Sequence, residues 1–284
     1  MLRFAHIRLD GALGEGNVAE TAMSRSVRLE GSDGEAGGDP LGLAVWRLRS
    51  RGCWEDAAAL LEPHVGREDT SAALRRAALL VERCMFTGGG WERAEEALRT
   101  AEALAGTDGE RGAAACERGH LAYASTVLGV RDRADEARAA LGRAAALLPP
   151  ASPRRALLDF RRGLMTEHFG DNPQSARAAY HRAHAAAVSN GDLLLCSFTW
   201  RHLAGLALRG GDTAEARHGF AESLRLREEL GYLVGMAPAL VSLAEVQPGP
   251  EAERLRAEAR RLFRLLGGVP AWLADRLEPP GPAA

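Results

Sequence analysis

A small residue recurs at a nearly constant interval along this chain, each time just after a short break rich in Gly, Asp or Pro. In the stretch TWRHLAGLALRGGDTAEARHGFAESL, residues 199–224, two helix-forming runs flank a Gly-Asp break, and Ala216 follows it. We call the recurring alanines marker alanines: Ala57, Ala94, Ala137, Ala176 and Ala216. Their intervals are 37, 43, 39 and 40 residues. A period between about 20 and 50 residues is typical of a repeat array, so we expect a stack of similar units.

Each unit is expected to be a pair of helices joined by a tight turn. Alanine, leucine and arginine dominate the sequence, which contains no lysine, and all three are strong helix formers. A bulky residue stands four positions after each marker alanine: Leu61, Leu98, Leu141, Tyr180 and Phe220. A small residue lets two helices cross closely, and a residue one turn later lies on the same face. We therefore predict an all-α fold, an α-solenoid of antiparallel helix pairs over residues 41–277, with five or six pairs.

The two ends of the chain differ from this pattern. The stretch EGSDGEAGGDP, residues 30–40, is acidic and glycine-rich, with too few apolar residues to offset the entropy of ordering it. We expect residues 1–40 to form a disordered or weakly ordered leader and residues 278–284 to form a tail. The last helix pair, residues 240–267, lacks a well-placed marker alanine, as expected for a repeat that caps the array.

Composition and missing motifs exclude several classes of protein. A formal charge of -2 argues against a dedicated nucleic-acid binder. No helix-turn-helix pattern and no G-x-x-x-x-G-K-[ST] loop occurs, so neither DNA binding nor nucleotide hydrolysis is expected. The four cysteines are scattered without a C-x-x-C pair, as in a reduced cytoplasmic protein. No apolar run reaches the length of a signal peptide or a membrane span. We expect a cytoplasmic protein that contacts no membrane and needs no cofactor.

These units resemble the tetratricopeptide repeat family. The match is carried by a first helix, a Gly-Asp turn and a second helix, best seen at Trp200, Leu203, Ala204, Ala207, Ala216 and Phe220. The period near 40 residues is longer than the family's usual repeat of about 34. It is similar to the long-period arrays of bacterial transcriptional activators of the LuxR and antibiotic-regulatory types, as is the closing segment 261–277. The resemblance implies a non-catalytic scaffold or regulatory module that binds a protein or peptide.

The resemblance also implies that the partner binds in a concave groove lined by the first helix of each pair. The family's groove positions correspond here to Tyr123, Thr126, Arg161, Arg162, Met165, His168, Arg201, His202 and Arg209. Guanidinium groups pair bidentately with carboxylates, so an acidic peptide segment is the expected partner, with a homo-oligomer left open. The alternative interpretation is that these arginines are solvated surface charges or pair with acidic residues one turn away.

Two other functions remain open. Glu167, His168 and His202 form an acid and histidine cluster suited to a small hydrolase or a biosynthetic helper, if their side chains converge and their pKa values are displaced. A stand-alone sensor domain of a transcription regulator is the third interpretation. His181 and His184 share a helix face, but the H-E-x-x-H spacing is absent and no metal site is expected.

Overall fold

The computed structural model describes residues 39–66, 70–170 and 172–277, which form helices joined by short turns without any strand among them. The all-α prediction is therefore confirmed over the described part of the chain. The predicted leader lies outside the described residues, except that Asp39 and Pro40 begin the first helix. The predicted tail, residues 278–284, also lies outside them.

Twelve helices of eight or more residues make six successive pairs in the described chain, each packed along its partner and stacked on the next pair. The first helices of the pairs are α1 (Pro40–Arg49), α3 (Thr70–Thr87), α5 (Asp108–Val127), α7 (Arg155–Phe169), α9 (Leu193–Arg209) and α11 (Leu233–Ala244). The second helices are α2 (Trp54–Leu61), α4 (Trp91–Leu104), α6 (Ala134–Leu147), α8 (Pro173–Asn190), α10 (Thr213–Glu229) and α12 (Gly249–Leu265). Short 3-10 turns at Glu62–His64 and Ala271–Leu273 and a last helix, α13 (Ala274–Leu277), complete the described elements. This architecture is the predicted solenoid of helix pairs.

The marker alanine is the fourth residue of the second helix in each of the first five pairs. All five marker alanines are 0% exposed. The bulky residues one turn later are buried as well: Leu61, Leu98, Leu141, Tyr180 and Phe220. The small residue therefore lies where the two helices of a pair cross, and the bulky one fills the space behind the crossing, as the sequence predicts.

The sixth pair also carries a marker alanine, so the expectation that segment 240–267 lacks one is wrong. Helix α12 begins at Gly249, and its fourth residue, Ala252, is 4% exposed. The position one turn later is Arg256, where the other pairs have a bulky apolar residue. The sixth pair therefore keeps the marker alanine and has Arg256 in place of the bulky apolar residue of the other pairs.

At two crossings the first helix carries a glycine where even an alanine would be too large. A Cβ atom on Gly163 of α7 would lie 2.5 Å from Cε1 of Tyr180, and one on Gly119 of α5 would lie 2.6 Å from Cγ of Leu141. Tyr180 and Leu141 are the bulky residues that follow two of the marker alanines. Glycine on the first helix thus allows Tyr180 and Leu141 to pack directly against the backbone of that helix.

Side-chain caps begin the helices after four of the breaks, at Thr107, Asn172, Asp192 and Asp212. Asp212 accepts a hydrogen bond from the backbone N–H of Glu215 at 2.9 Å, which satisfies a donor that the start of α10 leaves free. Gly211, just before it, has a φ of +85°, a left-handed conformation that glycine adopts most readily. The Gly-Asp break seen in the sequence is therefore the physical end of one helix and the start of the next.

The array curls until its ends touch. The backbone N–H of Val234 in α11 donates to the carbonyl of Ser50, just after α1, at 2.8 Å. The rings of Trp46 in α1 and Tyr232 stack with their centroids 5.8 Å apart. The Tyr232 hydroxyl donates to Glu82 of α3 at 2.7 Å, which joins residues 150 positions apart. Inner faces of the first helices, which an open array leaves to solvent, are packed against one another here.

Candidate functional site

Polar side chains of α7, α8 and α9 meet around the carboxylate of Glu167. Glu167 lies in the last turn of α7 with its side chain 9% exposed. It accepts hydrogen bonds from the Tyr180 hydroxyl at 2.5 Å, from Nδ1 of His202 at 2.9 Å and from the Arg209 guanidinium. His202 and Arg209 are two turns apart on α9 and so share a face. We call Glu167, Tyr180, Arg201, His202 and Arg209 the Glu167 cluster.

Burial and hydrogen bonding set the charges in the cluster. Burial raises the pKa of Glu167, but hydrogen bonds from His202, Tyr180 and Arg209 outweigh it and hold this pKa well below its usual value. Burial lowers the pKa of His202 to about 4, against the opposing effect of Glu167. Burial, followed by the charge of Glu167, raises the pKa of the Tyr180 phenol. At neutral pH Glu167 is therefore charged, whereas His202 and Tyr180 are neutral.

Arg201 is the cation of the cluster that lacks an acidic partner. Because neutral His202 donates its Nδ1 hydrogen to Glu167, its Nε2 is an acceptor, and this atom lies 3.4 Å from Nη1 of Arg201. Nε of Arg201 is buried without a hydrogen-bond partner, and no carboxylate of the described residues lies within ion-pair distance of this side chain. Burial and, secondly, the charge of Arg276 lower the pKa of Arg201. The charges of Glu167 and Glu245 oppose this effect from beyond ion-pair distance, so no carboxylate of the described chain touches this guanidinium.

Tyr123 and His168 form a second contact, between α5 and α7. The Tyr123 hydroxyl lies 3.1 Å from Nδ1 of His168, an atom that is also 3.0 Å from the carbonyl of Leu164. The two rings pack edge to face with centroids 5.6 Å apart. Tyr123 is buried, whereas His168 is exposed. Tyr123 therefore orients His168 and does not itself present a surface to a partner.

Arg161 does not face a partner, which corrects the groove assignment at this residue. It is only 7% exposed, and its Nη2 lies 2.7 and 2.9 Å from the two carboxylate oxygens of Glu117 on α5. Its Nη1 lies 3.1 Å from Sγ of Cys116. Removing either charge would leave the other buried and unpaired, so the pair belongs to the packing between the third and fourth helix pairs.

Three other predicted groove residues also lie outside the Glu167 cluster. Met165 is buried in the apolar core. The Thr126 hydroxyl donates to the carbonyl of Ala122 at 3.0 Å and accepts from the backbone N–H of Arg133 at 2.8 Å, so it closes the turn after α5. Arg162 is exposed on another side of α7. Of the predicted set, the structure brings together Arg201, His202 and Arg209 in the cluster and Tyr123 with His168 beside it.

Several of these contacts join residues that are one repeat apart in sequence. The separations are 44 for Glu117 and Arg161, 45 for Tyr123 and His168, and 42 for Glu167 and Arg209. Stacking of similar pairs places equivalent positions of successive first helices side by side. A complementary pair of residues at the repeat spacing is therefore the sequence signal that identifies Glu117, which the sequence analysis missed.

The remaining chemistry of the described residues is limited. They contain no group of three or more His, Cys, Asp or Glu side chains arranged to hold a metal ion. None of the described helices combines the length and the apolar character that crossing a lipid bilayer requires. All four cysteines are free thiols.

No protein-family model and no curated protein matches the sequence.

Proposed function

We propose that the chain is a non-catalytic interaction module that binds an acidic segment of a partner protein at the Glu167 cluster. The observation that carries this proposal is Arg201, whose buried Nε has no partner and which meets no carboxylate of the described chain. A buried guanidinium whose N–H groups are not all hydrogen-bonded is costly, and Glu167 and Glu245 attract this one only from beyond ion-pair distance. A carboxylate from a partner would offset that cost, since hydrogen bonds between ionised groups are about twice as strong as neutral ones.

The exposed side of the cluster suits the approach of such a carboxylate. Arg209 has 58% of its side chain exposed while it contacts Glu167, and His168 next to Glu167 is exposed. Two guanidinium groups, Arg201 and Arg209, stand against the single carboxylate of Glu167, so the cluster is positive at neutral pH. The repeat pattern, which resembles that of tetratricopeptide repeats, supports a peptide-binding role, and free thiols fit a reducing cytoplasm.

Arg201→Gln tests the proposal. The full chain is titrated with fluorescent Asp/Glu-rich peptides and with matched Asn/Gln-rich peptides, and the Kd of each is measured. We expect the acidic peptides to bind more tightly, and Arg201→Gln to weaken them about tenfold, because one charge-assisted contact is lost.

Arg264→Gln is the matched control, since it removes the same charge from an exposed residue of α12. It should leave the Kd unchanged. Equal weakening in both variants would show that the attraction is a general effect of charge, and no preference for acidic peptides would contradict the proposal.

An enzyme is the second candidate, and the convergence of Glu167 and His202 favours it. A neutral imidazole that donates its Nδ1 hydrogen to a carboxylate has the arrangement of a general base. However, the basic atom Nε2 faces Arg201 at 3.4 Å, and no hydroxyl or thiol of the described residues bonds to it. Hydrolysis of p-nitrophenyl acetate that His202→Gln abolishes would favour the enzyme over the binding module.

A further inference from the structure

A cleft of about 510 Å³ opens between α7, α8 and the turn that precedes α7, and no residue of the Glu167 cluster lines it. Its volume falls within the range of about 300–1,000 Å³ that small-molecule sites occupy. The small side chains of Ala151 and Ala186 leave the space open. Its polar lining includes Ser152, Arg155, Asp159, Arg162 and Arg182.

The positions of these residues explain why they converge. Arg155, Asp159 and Arg162 stand at i, i+4 and i+7 on α7 and therefore share one face. Arg182 lies on α8, one turn before Ala186, and faces the same space. The cleft thus has a charged wall on each of two helices.

The arginines in the cleft are not equivalent. Nη1 of Arg155 donates to the carbonyls of Ala145 and Leu148 at the end of α6, at 3.0 and 2.9 Å, and its Nε lies 4.0 Å from Asp159. Arg162 and Arg182 are exposed, and neither guanidinium has a hydrogen-bond or ion-pair partner among the described residues. One carboxylate therefore stands against three cations, two of which are free to bind a ligand.

We propose that this cleft binds a small phosphate monoester. Guanidinium groups from two helices would reach a single dianion from two sides, which favours phosphate over a singly charged carboxylate. The Ser152 oxygen accepts a hydrogen bond from the backbone N–H of Arg154 at 3.3 Å, so its own hydrogen remains available to the anion. Asp159 only accepts hydrogen bonds when ionised, so it would bind a hydroxyl or ammonium group of the same ligand.

Calorimetric titration of the full chain tests this proposal, with inorganic phosphate, glycerol 3-phosphate and acetate as probes at constant ionic strength. We expect saturable binding of phosphate, tighter binding of glycerol 3-phosphate because its hydroxyls reach Asp159, and no comparable binding of acetate. The combination of Arg162→Ala with Arg182→Ala should weaken glycerol 3-phosphate at least tenfold. Both residues are exposed, so the melting temperature should stay unchanged.

The combination of Arg99→Ala with Arg143→Ala is the control, because both residues are exposed and outside the cleft and the charge change is the same. It should leave the affinity unchanged. Failure of the unaltered chain to bind phosphate, equal weakening in both double variants, or equal affinity for acetate and phosphate would each overturn the proposal. Such a result would leave the peptide proposal intact, since the two sites share no residue.

Discussion

At the scale of single residues, neighbours in sequence take opposite roles because successive helix positions point about 100° apart. Arg161 is buried against Glu117, whereas Arg162 is exposed in the cleft. Likewise Arg201 has no acidic partner, whereas the next residue, His202, is hydrogen-bonded to Glu167. Their chemistry depends on which neighbour each side chain meets and on how far it is removed from water.

His202 gives a prediction for the pH dependence of stability. Its pKa in the folded chain is about 4, below the ordinary value of 6.5, because it is buried. The unfolded chain therefore binds this proton more readily, and the free energy of unfolding falls as the pH drops from 6.5 towards 4. At pH 5 this group alone should lower the free energy of unfolding by about 2 kcal/mol relative to pH 7.

His202→Gln removes the titration while its amide still donates to Glu167. Urea unfolding at pH 7 and pH 5 should therefore show a smaller loss of stability for this variant than for the unaltered chain. Glu167 acts in a lower window, since the stability that its depressed pKa provides is lost only as the pH falls below about its ordinary value of 4.5. An identical loss between pH 7 and pH 5 in both proteins would show that His202 is not held neutral by burial.

At the scale of the elements, the crossing of two helices is set by the marker alanine. Ala216 is 0% exposed on α10, and Gly219 one turn later would place a Cβ only 2.9 Å from Cβ of Ala204 on α9. There is no room at this crossing for a larger side chain. A buried alanine is the fourth residue of the second helix in all six pairs, which is why the helix pair is the unit of the fold.

Ala216→Leu should lower the free energy of unfolding by about 1–3 kcal/mol, because the added methyl groups overpack the crossing. Ala214→Leu is the matched control, since Ala214 lies on the same helix but is exposed. Urea unfolding of the two variants measures the difference. If both variants had the stability of the unaltered chain, the marker alanine would not be the point of closest approach.

At the scale of the whole molecule, contact between its ends separates this array from an open solenoid. In an open array each repeat contacts only its neighbours, so a change in the first pair affects the second and little beyond it. Here Trp46 of α1 stacks on Tyr232, which directly precedes α11, and the backbone N–H of Val234 in α11 donates to Ser50, which follows α1. In addition, Trp272 donates to the carbonyl of Met85 on α3 at 3.1 Å. The first and last pairs are therefore expected to unfold together.

Trp46→Ala should destabilise the fold by about 3–5 kcal/mol, as expected for removing a large buried aromatic side chain. Hydrogen exchange followed by mass spectrometry should show faster exchange in α11 as well as in α1, since the ring that packs against Tyr232 is gone. Leu43→Ala on the same helix is the control, because Leu43 is 45% exposed. Faster exchange confined to the first two helix pairs would mean that the contact between the ends of the array does not couple the unfolding of the first and last pairs.

Much of the candidate site could not be predicted from the sequence. The resemblance to tetratricopeptide repeats indicated Arg201, His202 and Arg209; the last two bond to Glu167, and Arg201 lies against His202. It also placed Arg161 and Met165 in an open groove, whereas both are buried. Those positions are groove positions only if the inner faces of the first helices stay apart. Whether they do depends on the curvature of the whole array.

The sequence by itself determined the helix pair. Helix propensity, the Gly-Asp turn and the alanine with its bulky successor all act within one repeat, so their pattern is visible locally. Only the tertiary structure decided how six pairs curve and what their inner faces meet. Curvature accumulates from a small rotation at each pair, and contacts such as that of Tyr232 with Glu82 join residues 150 positions apart. No single repeat encodes that sum, which is why the pairs were predictable and the closed interior was not.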